Sequence, residues 1–384
     1  MSHPLDRPPE VIETPASLAA MLDHLRCQSS IAVDTESNSL YAYRERVCLI
    51  QVSTPETDYI VDTLALADIA GLGLIFANPA IEKVFHGADY DVGTLRRDYG
   101  FEFAHLFDTM LASRILGIKQ FSLGSLLQER FGVQLDKRMQ RHNWGRRPLQ
   151  PAELAYARLD THYLLPLRDL LLAELRQRGR EREARESFER VTSTTWSRKP
   201  FDADDFWHIK GAMLLDDAGR GVLRALFALR DAHARRLDRP PFKVLSDDIL
   251  VEIARSRPSS RRALRQVYGL SAAQVEALGA DILHAVAAGQ REPQPRHSRP
   301  LPNGRPDDAV LERYERLREW RKERAAQRDV APDVLISNHL LMEIAHRAPT
   351  TREALSEIEG IGPYQLEAYG QDILNAVAGE AGAD

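Results

Sequence analysis

The sequence predicts an α/β domain with a mixed sheet, followed by an all-helical region. Three observations predict this architecture. Short apolar, β-branched runs alternate with helical segments up to about residue 116, helical patterns dominate from there to about residue 190, and a later helical stretch occurs twice. At 384 residues, with 43% hydrophobic and 28% charged residues, the chain is expected to form two or three globular domains.

The first part of the chain divides into strands and helices by its apolar runs and turn residues. A first helix is predicted from Thr14 to about Leu25. Three consecutive strands with short connections then favour an antiparallel meander, and two more strands follow. The strands are predicted at residues 31–36, 47–53, 58–62, 83–86 and 105–109, and helices at about 64–76, from 87–91 to about 99, and at 110–116.

The composition limits the classes of function that the chain can have. The net charge of −5 does not indicate a nucleic-acid binder, although such a sum conceals local basic patches. Two cysteines, Cys27 and Cys48, cannot form a disulfide framework or a zinc site by themselves, and Cys48 lies in an apolar run typical of a buried thiol. No segment has the pattern of a signal peptide or a membrane span. We therefore expect a cytoplasmic protein with no membrane partner.

Two acids at the end of the first long strand are candidate metal ligands. Asp34 and Glu36 follow an apolar run and lie one residue apart, so on a strand both project from the same face. Like charges this close repel each other unless a cation lies between them. A strand that ends in a solvated turn is the alternative, and this short motif alone does not exclude it.

Further acids lie in suitable settings later in the chain. Asp91 lies in the first turn of a predicted helix, where the helix dipole favours an acid, but Asp89 would serve equally well there. The spacing leaves open which of the two faces a metal. Tyr156 and Asp160, four residues apart, lie on one face of a predicted helix. A half-buried tyrosine beside a solvated aspartate is the alternative.

These residues form motifs that resemble those of the DEDD exonuclease superfamily. In order, the motifs are D-T-E at 34–36, H-G-A-x-x-D at 86–91, L-F-D-T at 106–109 and Y-x-x-x-D at 156–160. The tyrosine is typical of the DEDDy branch. The resemblance is greatest to the ribonuclease D family, covers residues 10–175, and includes the segment from Trp144 to Leu149, which is similar to that family's W-x-x-R-P-L. It implies a ribonuclease H-like fold.

The resemblance also assigns roles. It implies that Asp34, Glu36, Asp91 and Asp160 hold two divalent ions and that Tyr156 orients the attacking water, and it selects Asp91 over Asp89. Four carboxylates without a Cys/His cluster suit Mg²⁺ or Mn²⁺ better than zinc.

One ion, held by Asp34, Glu36 and Asp160, would lower the pKa of its water. The second ion, held by Asp34 and, through a water, by Asp91, would stabilise the leaving group. Ser37 occupies a position where the family usually has an aromatic residue.

Residues around these motifs have more than one interpretation. Arg147 is a candidate phosphate contact, and Trp144 would either stack on RNA or pack in the core, with packing favoured for a large aromatic residue. His86, at a strand end, is expected to be a hydrogen-bonded core histidine rather than a metal ligand.

The composition changes after Arg190. Residues 192–200 are rich in turn formers and predict a linker. Beyond them, residues 246–288 align without gaps to residues 337–379, with about 20 of 43 positions identical. The two copies resemble HRDC domains. The predicted domains are an exonuclease domain at 1–195, a first HRDC domain at 203–290, a stiff proline-rich linker at 291–306 and a second HRDC domain at 307–384.

Each HRDC copy contains a candidate RNA contact. In the second copy, Gly360 and Gly362 lie at a turn between helices that can present backbone N–H groups to a phosphate, although a tight helical turn is the alternative. The first copy has a cluster of five arginines: Arg255, Arg257, Arg261, Arg262 and Arg265. The cluster would track an RNA backbone or form a solvated face.

Together these features predict a metal-dependent nuclease, and the resemblance implies a 3′–5′ exoribonuclease that releases nucleoside monophosphates. The resemblance implies RNA with a free 3′ end as the substrate, with tRNA precursors as its class. Two alternatives stay open: a DNA 3′–5′ exonuclease, and a non-catalytic RNA-binding scaffold. A monomer is expected because no stretch has the pattern of a dimerising coiled coil.

Overall fold

The computed structural model of the chain describes residues 7–135, 139, 141–197, 199–295 and 307–379. The described residues form two compact units. The first unit contains the described parts of 7–37, 47–197 and 307–379, and the second contains 38–46 and 199–295. Among these residues no helix combines the length and the apolar character that crossing a membrane requires.

A mixed sheet forms the centre of the first unit. Its strands are β1 (Glu10–Ile12), β2 (Ser30–Ser37), β3 (Val47–Ser53), β4 (Asp58–Asp62), β5 (Glu82–Phe85) and β6 (Leu106–Asp108), in the order β1-β4-β3-β2-β5-β6. β2, β3 and β4 form the predicted antiparallel meander, and the other pairs are parallel. The sequence missed β1, because three residues are too few to show an alternating pattern.

Helices cover the sheet. They are α1 (Pro15–Arg26), α2 (Ala70–Phe76), α3 (Asp89–Tyr99), α4 (Thr109–Ile115), α5 (Leu123–Phe131), α6 (Pro151–Ala157), α7 (Leu159–His162), α8 (Leu164–Gln177) and α9 (Glu181–Thr192). Thr14 caps α1 by accepting the Ser17 N–H, as serine and threonine commonly do at a helix start.

Two predicted helical stretches are wrong. α2 begins at Ala70 instead of residue 64, because the Asp62 carboxylate accepts the N–H groups of Leu64 and Ala65 and holds them in a turn. The uniformly helical pattern expected up to residue 190 is also interrupted: apart from a short 3₁₀ turn, the described residues between α5 and α6 are irregular.

The sheet buries apolar residues on both faces. The main core includes the fully buried side chains of Leu25, Ile31 and Phe85. A smaller cluster lies under α6 and contains Leu49, Ile60, Trp144, Tyr156 and Ala157 together with the free, buried Cys48. This smaller cluster borders the candidate site.

The duplicated sequence forms two sets of five helices in the same order. The first set is α10 (Asp217–Leu237), α11 (Pro241–Val244), α12 (Asp247–Ser256), α13 (Arg261–Leu264) and α14 (Ala272–Arg291). The second set is α15 (Asp308–Arg328), α16 (Pro332–Leu335), α17 (Asn338–Arg347), α18 (Arg352–Ser356) and α19 (Pro363–Ala378). Most of the predicted proline-rich linker, residues 296–306, lies outside the described residues.

The two helical sets have different neighbours. In the second unit, the segment 38–46 binds the first set: the Tyr43 hydroxyl donates to Asp231 over 2.7 Å, and Asp238 accepts the Tyr43 and Arg44 N–H groups. In the first unit, the second set packs on the exonuclease domain.

Paired charges join the second set to the exonuclease domain. Arg328 donates to the buried Glu183 over 3.0 Å, and Lys119 pairs with Asp329 over 2.7 Å.

Candidate active site

Three acids from two distant segments meet beside the sheet. Asp34 and Glu36 project from one face of β2, and Asp160 is contributed by α7. Each offers a carboxylate oxygen, and these three oxygens lie within 4.8 Å of one another. Hard divalent cations prefer this all-oxygen donor set, so the residues present fit a metal ion such as Mg²⁺ or Mn²⁺.

The fourth predicted acid lies beside this trio. Asp91, in the first turn of α3, is 6% exposed and accepts a hydrogen bond of 2.5 Å from the Thr35 hydroxyl. Its charge repels those of Asp34 and Glu36. Asp89 is exposed and instead accepts a hydrogen bond from Thr194. The structure thus places Asp91, and not Asp89, with the other acids.

Burial and mutual repulsion shift the pKa values of these acids upward. Burial is the largest cause in each case, followed by the charges of neighbouring acids. The pKa of Glu36 rises to about 10 and that of Asp160 to about 7, and the pKa values of Asp34 and Asp91 lie well above the usual range. The carboxylates therefore need a cation to carry their full charge near neutral pH.

A buried aspartate fixes the turn that leads to Asp91. Asp108, at the end of β6, accepts hydrogen bonds from the N–H groups of Gly87, Ala88, Met110 and Leu111. Because Gly87 adopts a φ of +81°, which a glycine tolerates best, the chain turns sharply into α3 at this point. The hydrogen bonds of Asp108 thus orient the start of α3.

His86 has the structural role that the sequence favoured. Its Nδ1 lies 2.9 Å from the Thr109 hydroxyl, and burial lowers its pKa to about 4, so the ring is neutral. Thr109 in turn donates to the Phe85 carbonyl, which leaves its oxygen free to accept from His86. His86 is therefore a hydrogen-bonded residue of the interior.

Tyr156 is held against the sheet by Trp144. The two rings are stacked with their centroids 6.1 Å apart, and Tyr156 is 9% exposed. α6 ends at Ala157 and α7 begins at Leu159, so Tyr156 and Asp160 lie on two short helices instead of the single helix predicted. Trp144 is only 2% exposed and cannot stack on RNA here, so its prediction as an RNA-binding residue is replaced by a packing role.

Arg147 is also built into the protein instead of facing a phosphate. Its Nε and Nη2 donate to the Asp62 carboxylate over 2.5 and 2.7 Å. Its other N–H groups donate to the carbonyls of Trp144, Arg146 and Cys48. All five N–H donors of the guanidinium are used, which leaves none for RNA. Burial raises the pKa of Asp62, but the hydrogen bonds from Arg147 and from backbone N–H groups outweigh burial, so the pKa lies below its usual value.

We expect Arg147→Lys to destabilise the protein by about 2–4 kcal/mol, because a lysine keeps the charge but loses the bidentate pair and the carbonyl contacts. Thermal and urea unfolding measure this loss. Arg146→Lys is the matched control, since Arg146 is exposed and is expected to change stability little. Equal losses of stability in the two variants would show that the ion pair between Arg147 and Asp62 does not stabilise the segment from Trp144 to Leu149.

The predicted phosphate-binding turn of the second HRDC copy holds a protein carboxylate. The Tyr364 N–H, at the start of α19, donates to Glu186 of α9 over 2.6 Å. A Cβ atom added at Gly362 would lie 2.1–2.5 Å from the same carboxylate. Arg190 donates to the Gly360 carbonyl over 3.3 Å. In this structure Gly360 and Gly362 therefore contact the exonuclease domain at the place predicted for RNA.

Comparison with known proteins places the chain in a family. The sequence pattern of a family described as a 3′–5′ exonuclease matches residues 9–176, and that of the HRDC domain matches 220–286 and 310–377. Ribonuclease D of Gluconacetobacter diazotrophicus is 31% identical over 343 residues, which cover 88% of this chain and 86% of that relative. The chain belongs to the ribonuclease D family.

Members of the ribonuclease D family are 3′–5′ exoribonucleases, and their exonuclease domain depends on divalent metal ions. The exosome complex exonuclease RRP6 of Saccharomyces cerevisiae is 35% identical over 269 residues, which cover 66% of this chain and 37% of that protein. The chain spans about a third of the length of the exosome relatives it matches. Their whole-protein roles do not transfer to it directly.

A solved structure shares the whole fold. Escherichia coli RNase D, described as an exoribonuclease involved in structured RNA processing, superposes with a TM-score of 0.66 at 24% identity, covering 97% of this chain and 99% of that one. This confirms the predicted fold class, a mixed α/β exonuclease domain followed by helical HRDC domains.

Some residues around the site have roles that depend on partners the sequence does not reveal. Asp62 and Glu186 gave no sign of Arg147 and Tyr364, the partners that lie far away from them in the sequence. Gln51 did give a signal, since it is a polar residue inside the apolar run from Val47 to Val52.

Proposed function

We propose that this ribonuclease D family member hydrolyses RNA from a free 3′ end and releases nucleoside monophosphates, using two divalent ions, Mg²⁺ or Mn²⁺. Asp34, Glu36, Asp91 and Asp160 would hold these ions. The observation that carries the proposal is the convergence of carboxylates from β2, α3 and α7 into one partly buried cluster. A cluster of like charges with little exposure to water costs stability, and such clusters are typical of functional sites.

Bound divalent ions would activate water and stabilise the charge of the leaving 3′ oxygen. The protein's own residues provide the positioning. Thr35 holds Asp91, and Asp108 holds the turn from which α3 begins. Trp144 fixes the ring of Tyr156, whose hydroxyl would aim the attacking water by a hydrogen bond.

Family membership supports a proposal for the substrate class. RNA with a free 3′ end is the proposed substrate, and the resemblance favours tRNA precursors among such RNAs. We further propose that the protein acts as a monomer in the cytoplasm. The two HRDC domains suit a role in holding the body of such an RNA.

Labelled RNA and DNA of one sequence test the proposal. Each is incubated with the full chain in Mg²⁺, in Mn²⁺ and in chelator. We expect a ladder that shortens from the 3′ end for RNA only, and only with metal. Degradation of both polymers would favour the DNA exonuclease alternative. Degradation of neither, with RNA still bound, would favour the scaffold.

The first HRDC domain offers a basic surface for the RNA backbone. Three arginines of its predicted cluster are paired with carboxylates: Arg255 with Glu252, Arg257 with Asp216 and Arg261 with Glu276. Arg262 and Arg265 are exposed, and neither has a carboxylate partner within the described residues. Tyr268, three residues after Arg265 in the sequence, is 90% exposed and offers an aromatic face.

We expect the double variant Arg262→Gln/Arg265→Gln to weaken RNA binding. The slope of log K against the logarithm of the salt concentration should become shallower by roughly 1.4, because each lost phosphate contact on a single strand removes about 0.7 from it. Titrations at several salt concentrations measure this. Arg255→Gln is the control, because its guanidinium already pairs with Glu252. An unchanged slope in the double variant would assign the cluster to a solvated face.

A further inference from the structure

A buried glutamine in the sheet has no hydrogen-bond partner. Gln51, in the middle of β3, is fully buried, and within the described part of the chain neither its Nε2 nor its Oε1 has a partner. Buried amides are almost always hydrogen-bonded, because they lose their contacts with water. The neighbouring residues Ile50 and Val52 are apolar, so packing alone does not require a polar residue here.

The strand register places Gln51 beside a predicted metal ligand. Gln51 pairs with Asp34 on β2 and with Ile60 on β4. Side chains of directly paired residues lie on the same face, with Cβ atoms about 4.5–5.5 Å apart in antiparallel strands. The Gln51 amide is therefore next to the Asp34 carboxylate in the same row of the sheet.

Other polar groups on this face are already satisfied. Two residues further along β3, Ser53 donates to Asp58 and lies 2.7 Å from the Thr161 hydroxyl of α7. Two residues earlier, Leu49 packs in the cluster that contains Tyr156. Gln51 lies between this hydrogen-bonded group and the apolar cluster, and belongs to neither.

We propose that Gln51 is a positioning residue for Asp34. Its amide N–H donates to the Asp34 carboxylate, directly or through one water, when that carboxylate is in the orientation that holds a cation. The inference rests on the proposed function, because it requires the metal site. A carboxylate that carries full charge accepts a stronger hydrogen bond than one that is partly protonated. Such outer partners fix the orientation of metal ligands.

The test is Mn²⁺ binding to the full chain with Gln51→Met, which keeps the length of the side chain but has no donor. We expect the Mn²⁺ dissociation constant, measured by calorimetry, to rise about tenfold, within the range seen for outer partners of metal ligands. The melting temperature of the metal-free protein should stay the same or rise, because an unsatisfied amide has been removed. RNA hydrolysis should recover at high Mn²⁺.

A purely structural role for Gln51 predicts the opposite pair of results: a lower melting temperature with unchanged Mn²⁺ affinity. That outcome would overturn the inference. Ile50→Val is the control, since Ile50 lies on the same strand and projects from the opposite face. It should leave Mn²⁺ affinity unchanged. If Gln51→Met does not fold, Gln51→Asn, whose amide is one methylene shorter, carries the same expectation for Mn²⁺.

Asp34→Asn separates this inference from the proposed function. If Asp34→Asn binds Mn²⁺ as tightly as the unmodified chain, the metal site itself is misplaced. If Asp34→Asn loses Mn²⁺ while Gln51→Met binds it with full affinity, the proposed function stands and only the role of Gln51 is overturned.

Discussion

Asp160→Asn is expected to lower the rate of RNA hydrolysis by more than about a hundredfold, since even the outer partners of metal ligands can account for that factor. The change replaces a charged oxygen donor with a neutral amide at the point where the carboxylates of β2 and α7 meet. RNA affinity should be largely retained, because the first HRDC domain offers its exposed arginines independently of the metal site. Single-turnover cleavage in Mg²⁺ and RNA titration in chelator measure the two effects separately.

Asp169→Asn is the matched control for this variant. It makes the same change of charge at a side chain that is 69% exposed and pairs with Arg168 on the surface of α8. We expect its cleavage rate to match that of the unmodified chain. Near-normal cleavage by Asp160→Asn would contradict the assignment of the metal ligands.

The parts of the site that the sequence revealed are those encoded locally. Asp34 and Glu36 stand out because two acids end an apolar strand, and the spacing of two sets the face they share. Even so, local spacing did not separate Asp89 from Asp91. That choice needed the resemblance, and in the structure it depends on Thr35, which lies 56 residues earlier in the chain than Asp91.

The parts that the sequence concealed depend on distant partners. Arg147 looked available for a phosphate, but its carboxylate partner Asp62 is 85 residues away. The turn at Gly362 looked suited to an anion, and it does meet one, but the anion is Glu186, 178 residues from Tyr364. A motif indicates what a group can bind, whereas the fold decides which partner reaches it first.

The metal-free protein is expected to lose stability between pH 6.5 and pH 8, and bound Mn²⁺ should remove that loss. The folded-state pKa values of Glu36, about 10, and Asp160, about 7, lie above the values near 4 of an unfolded chain. In this range the folded chain therefore holds more protons than the unfolded chain, so the free energy of unfolding falls as the pH rises. Each group that stays protonated only when folded contributes about 1.4 kcal/mol per pH unit.

Melting temperatures in chelator and in Mn²⁺ across this pH range measure the effect. Asp34→Asn should make the metal-free decline shallower, because it removes a charge that raises the pKa of Glu36. The same variant should gain little stability from Mn²⁺, since it lacks a ligand. Other titrating groups, such as Lys83 with a pKa lowered to about 8, are the same in both proteins and cancel in the comparison. Parallel pH profiles for the two metal-free proteins would mean that the acids do not repel one another as their positions require.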